Sequence, residues 1–206
     1  MGKTIFQSHI LPMAKIRTSL QLKLCNIEPR DVISLYTAAF GVNSSDWLGK
    51  TLIRVKSDKA RIALEHILLC ESVENRVATL LHFARMLSAT PGNEVDKRIR
   101  YEISEIRSFF TDLKYAGLKG LALFASLKSL SLDFIPYITQ CALDCDCKDF
   151  QYVNAHRETD IKHSKQLCEA LEAEVEEFSE ADVNHVLVCV DSVVEKLLKN
   201  IFEYRK

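Results

Sequence analysis

The chain has 206 residues, 48% of them hydrophobic and 27% charged, which suits one sizeable globular core and excludes the disordered and fibrous classes. A formal net charge of -1 offers no overall attraction to nucleic acid or to an anionic membrane surface. Six glycines and four prolines are too few for a turn-rich β protein.

Seven cysteines and an opening without the pattern of a secretory signal point to a reducing, cytoplasmic compartment. The first residues, Met1-Gly2-Lys3-Thr4-Ile5-Phe6, lack the Ser or Thr that a myristoylation signal needs. No uninterrupted apolar run reaches the roughly 18 residues of a membrane span. The apolar stretch 120–132 contains Lys128 and reads as a core helix.

Helical periodicity recurs along the chain, and no stretch shows strand alternation. A first helix is predicted over 12–24. Pro29 opens a second, with Ile33, Tyr36, Ala39 and Phe40 on one face, which continues past a kink at 41–45 through Trp47, Leu48, Leu52 and Ile53. Ser57 reads as the N-cap of a third segment carrying Ile62, Leu64, Ile67 and Leu68. A fourth presents Val77, Leu80, Leu81, Ala84 and Leu87 to the core. The turn Thr90-Pro91-Gly92-Asn93 precedes a long helix from Glu94 past Ile99, Ile103 and Ile106 to Phe110.

The next helix spans 118–143 and is bent by Pro136, and another spans 149–177. Ser179 caps the last, with Asp182 placed close to a capping box. Its stripe of Val183, Val186, Leu187, Val190, Val194, Leu197, Leu198 and Ile201 has core spacing, and is expected to pack on the helix over 149–177. No linker or repeat interrupts this pattern. The prediction is an all-α fold, one domain over 1–206, built as a single up-and-down bundle of about seven helices.

The chemistry concentrates in His156-Arg157-Glu158-Thr159-Asp160-Ile161-Lys162-His163. At about 100° per residue, His156, Asp160 and His163 share one helix face. That face continues through Leu167 and Leu171 and therefore points inward. Two histidines and a carboxylate so placed have the donor types for Fe(II), Mn(II) or Zn(II); the plainer reading is a hydrogen-bonded core patch.

The run from Phe150 to Leu167 resembles the penultimate helix of the haem-oxygenase-like di-iron oxidases, whose signature is His, three residues, Asp, two residues, His. These share a fold with the TenA thiaminases and the PQQ-synthesis oxidase. The resemblance implies a haem-oxygenase-like bundle, a homodimer, and one or two Fe(II) ions that activate O₂ against a small organic substrate. It also implies further ligands upstream. Glu71 and His82 match best in type, with Glu74 as the alternative carboxylate. On one straight helix Glu71 and His82 would stand about 16 Å apart, so a shared metal demands a chain break between them. The plainer reading leaves both at the surface.

Lys128 stands about where the family helix carries another ligating Glu, and an ammonium cannot ligate a metal. The resemblance thus implies either an iron oxidase or oxygenase with a doubtful second metal, a non-catalytic relative with a degraded site, or a cofactor-free oxidase. No Cys-x-x-x-Tyr sequence occurs, which counts against thiaminase chemistry. Cys141, Asp144, Cys145, Asp146 and Cys147 crowd into seven residues but lack the paired Cys-x-x-Cys spacing of zinc sites. Cys25, Cys70, Cys168 and Cys189 read as small core residues, and His9, His66 and His185 as lone histidines.

Overall fold

The computed structural model describes residues 28–41, 43–73 and 75–202. The helix predicted over 12–24, with His9 and Cys25, lies outside these residues, and so does Glu74. The described residues form nine helices and no strand: α1 (Pro29–Phe40), α2 (Asn43–Leu52), α3 (Asp58–Val73), α4 (Arg76–Met86), α5 (Asn93–Glu102), α6 (Ser104–Phe109), α7 (Ala116–Asp144), α8 (Gln151–Val175) and α9 (Glu180–Phe202). The all-α bundle predicted from periodicity is therefore the architecture found.

Two predicted helices are each divided. The kink expected at 41–45 is a break between α1 and α2, where the Asn43 side-chain amide donates to the carbonyl of Ala39 at 3.0 Å. The helix predicted from Glu94 to Phe110 turns at Ile103 (φ -79°, ψ -2°) into α5 and α6. No glycine or proline marks that turn. Tertiary packing sets it, since Ile99, Ile103 and Ile106 are all buried in the core.

The 29-residue α7 is the axis of the bundle. It lies along α8, and α1, α2 and α9 pack on it as well. By length and composition it is apolar enough to cross a membrane, but it is mostly enclosed by the other helices, as the core helix of a soluble protein is. Gly117 and Gly120 allow that enclosure. A Cβ at Gly117 would stand 2.4 Å from the Arg54 carbonyl oxygen, and one at Gly120 would stand 2.1 Å from Thr51 Oγ1. Pro136 lies on the exposed side of α7, and the helix runs through it. The apolar stripe of α9 is buried as expected, but it packs chiefly on α7, α1 and α5 rather than on α8.

Polar caps fix the helix ends. Ser57 Oγ accepts from the Ala60 N–H at 3.1 Å. Glu174, wholly buried near the end of α8, accepts from the N–H groups of Lys56 and Ser57 at 2.8–3.0 Å. A carboxylate suits the positive end of α3, so this contact ties α8 to α3. Ser179 caps α9 through the Asp182 N–H at 3.2 Å. Asp182 does not complete a capping box: its carboxylate accepts from Tyr115 and Lys114 instead.

The cysteine-rich run ends α7. Asp146 takes the left-handed conformation (φ 57°), Cys147 N–H reaches the Ala142 carbonyl, and Asp146 N–H reaches that of Leu143. These are the two bonds of a Schellman cap. The Cys147 thiol donates to the Asp149 carbonyl oxygen, and Cys141 is buried in the core.

Candidate functional site

Tyr152, His156, Asp160, His163, Leu167 and Leu171 form one buried stripe on α8. The stripe faces α7 and α3, with the first turn of α4 beside it. Asp160 is the centre of a charge cluster. Lys128 of α7 donates to its Oδ1 at 2.8 Å, and Arg76 of α4 stands 3.7 Å from the same oxygen. Glu71 of α3 is the second anion, 3.3 Å from Arg76 and 3.4 Å from Lys128. Arg76 also donates to the Thr159 hydroxyl, which donates in turn to the Ala155 carbonyl.

Two carboxylates and two cations balance one another in a space where an unpaired charge would be costly. Burial alone would push the Asp160 carboxyl up. Lys128, His156 and the hydrogen bond from Lys128 outweigh that, and its pKa lies below the usual value.

The two histidines are neutral. Burial and then Lys128 lower His156 to about 3 and His163 to about 4. His156 donates from Nδ1 to the Tyr152 carbonyl at 3.1 Å, which leaves the lone pair on Nε2. Its ring lies against that of Tyr152, and the Tyr152 hydroxyl is 2.9 Å from that of Tyr36. Burial pushes both phenols well above their ordinary pKa, so both stay protonated.

These groups border a cavity of about 60 Å³. The polar wall includes Tyr36, Tyr152, His156, the four charged side chains of the cluster and Ser131, and the apolar wall includes Phe40, Leu80, Phe124, Leu127 and Phe134.

The predicted site residues separate into two groups. Glu71, Lys128, His156, Asp160 and His163 come together in or beside this cluster. His82 does not. It is exposed, and its Nε2 is 3.4 Å from the Asp149 carboxylate ahead of α8. Asp149 precedes Asp160 by eleven residues, on the order of 15 Å along a helix.

The chain does break between Glu71 and His82, at Asn75, whose left-handed backbone (φ 46°, ψ 48°) separates α3 from α4. Asparagine tolerates that conformation, and it was the available sequence signal. The break carries Arg76, rather than His82, into the site. Sequence reasoning also missed Tyr36, and it missed His66, whose ring meets that of His163 edge-on at 5.9 Å.

The donor set does not fit a two-iron centre. Its candidate carboxylates, Asp160 and Glu71, are held by Lys128 and Arg76, and His82 is on the surface. Comparisons with protein-family models, curated proteins and solved structures find no match to this chain. The resemblance to the haem-oxygenase-like group is one of sequence pattern alone, in the spacing of His156, Asp160 and His163.

Proposed function

We propose that this chain is a metal-poor member of the haem-oxygenase-like class that binds a small organic molecule in the cavity beside the charge cluster. The observation behind this is the pairing of both candidate carboxylates, Asp160 and Glu71, with Lys128 and Arg76 at 2.8–3.7 Å. With its charges balanced, the site suits a neutral ligand. A polar head would meet Tyr36, Tyr152 and His156, and a flat or branched apolar body would lie along Phe40, Leu80 and Phe134. The cavity is smaller than a benzene-sized void, so side chains must move to admit such a ligand.

Phenol is the test probe. Calorimetry should detect one phenol per chain with wild-type protein and none with Leu80→Trp, which fills the cavity. Absence of phenol binding, or binding unchanged in the filled variant, would count against the cavity as the ligand site.

A second reading is the non-haem iron oxidase that acts on a small substrate with O₂. Two observations favour it: Asp160 Oδ2 and His163 Nδ1 are buried without hydrogen-bond partners, and His156 keeps its Nε2 lone pair. Ligation by iron would require Lys128 to leave Asp160. A cytoplasmic homodimer belongs to the same family-level proposal, and light scattering on the purified chain tests the dimer.

A further inference from the structure

His66 and Cys70 lie one helical turn apart on the same face of α3, and His163 of α8 stands opposite them. One ligand atom from each falls within 4.8 Å of the others, and Cys70 Sγ is 3.8 Å from His66 Nε2. His163 is 1% exposed and its Nδ1 has no hydrogen-bond partner, while His66 presents Nε2 to Cys70. A buried nitrogen left without a partner calls for an explanation, and a ligand that accepts its lone pair supplies one.

From this convergence we infer a mononuclear Zn²⁺ site made by His66, Cys70 and His163, distinct from the Asp160 charge cluster. Two imidazoles and a thiolate are donors that a borderline-soft ion takes in preference to Mg²⁺ or Ca²⁺. Zn–N bonds of about 2.0–2.1 Å and a Zn–S bond of about 2.3 Å place tetrahedral ligand atoms roughly 3.3–3.6 Å apart. Side-chain rotation of about 1 Å closes the present triangle to that size.

His66 and Cys70 are only half-buried, so the fourth position is open to water. Binding breaks the Cys70 S–H bond, forms the Zn–S bond and releases the proton to solvent, with no change of oxidation state. The neighbouring charges do not forbid it, because Lys128 and Arg76 are already paired with Asp160 and Glu71. This inference does not rest on the phenol-sized ligand proposed above.

The test titrates the full chain, reduced and stripped with a chelator, with Co²⁺ and then with Zn²⁺. One equivalent of Co²⁺ should give visible d–d bands and a thiolate-to-cobalt charge-transfer band, and Zn²⁺ should erase both. Cys70→Ser should remove the charge-transfer band, and His66→Gln should weaken binding by at least about tenfold. Asp160→Asn should keep the bands.

A wild-type measurement covers the case in which a variant fails to fold. Zn²⁺ should slow alkylation of Cys70 at least about tenfold, read by peptide mass spectrometry, and leave Cys189 unchanged. Absence of the charge-transfer band, equal alkylation with and without Zn²⁺, or loss of the bands in Asp160→Asn but not in Cys70→Ser would each overturn the inference.

Discussion

Replacing Lys128 with methionine keeps much of the side chain's volume and removes its charge. Asp160, 2% exposed, would then lose its 2.8 Å cation contact and keep the longer one to Arg76, with the Ser131 hydroxyl beside it. Breaking one side of a buried pair leaves an uncompensated charge, so Lys128→Met should cost about 3 kcal/mol in urea denaturation. Removing the other charge as well, in Lys128→Met with Asp160→Leu, should recover most of that loss. A fully additive double variant would show that the two side chains are not coupled.

His156 gives the same cluster a pH signature. Its folded pKa is about 3, against about 6.5 for an unfolded histidine. Below about pH 6.5 the unfolded chain takes a proton that the folded chain refuses, so stability is complete above that pH and falls as pH drops towards the folded value. From about pH 7 to pH 5 His156 alone should cost about 2 kcal/mol. Asp160, with its pKa lowered, adds a further loss through the ordinary carboxylate range. His156 faces Tyr152, Asp160, Lys128 and Arg76, and the two cations oppose its protonation. His163, lowered to about 4, contributes a similar loss, so His156→Gln should remove about half of the pH dependence of the urea midpoint in that window; an unchanged slope would place the sensitivity elsewhere.

At the scale of elements, Asn75 sets the geometry of the site. Its left-handed backbone divides α3 from α4 and points Arg76 at Glu71 and Asp160. Asn75→Gly should be near neutral, because glycine adopts that conformation freely. Asn75→Val should cost about 1–2 kcal/mol, since a β-branched residue does not. Thermal melts of the two variants check this, and equal midpoints would refute it.

The same break explains what the sequence could and could not reveal. His156, Asp160, His163 and Lys128 were legible because each lies on a long helix whose 3.6-residue period fixes its face. The position of His82 depended on a single left-handed residue between two helices, which periodicity does not register. His66 was passed over for a similar reason: its partner His163 is 97 residues away in sequence, across a helix–helix contact. The split at residues 41–43 falls within the kink read at 41–45, where Gly41 and Asn43 mark it, whereas the one at Ile103 follows from tertiary packing and carries neither glycine nor proline.

At the scale of the whole molecule, the bundle encloses α7, an apolar helix long enough to span a membrane, and sets a balanced charge cluster against it. Gly117 and Gly120 bring α2 and the chain after it close to α7. Glu174 ties the end of α8 to the start of α3, the two helices that supply Asp160 and Glu71. Lys128 and Arg76 occupy the carboxylates a two-iron centre would need. Anaerobic Fe(II) titration of the full chain, with Asp160→Asn alongside, should therefore find no tightly bound iron that depends on Asp160; two tight irons in the wild type, both lost in Asp160→Asn, would show that the carboxylates are free to ligate.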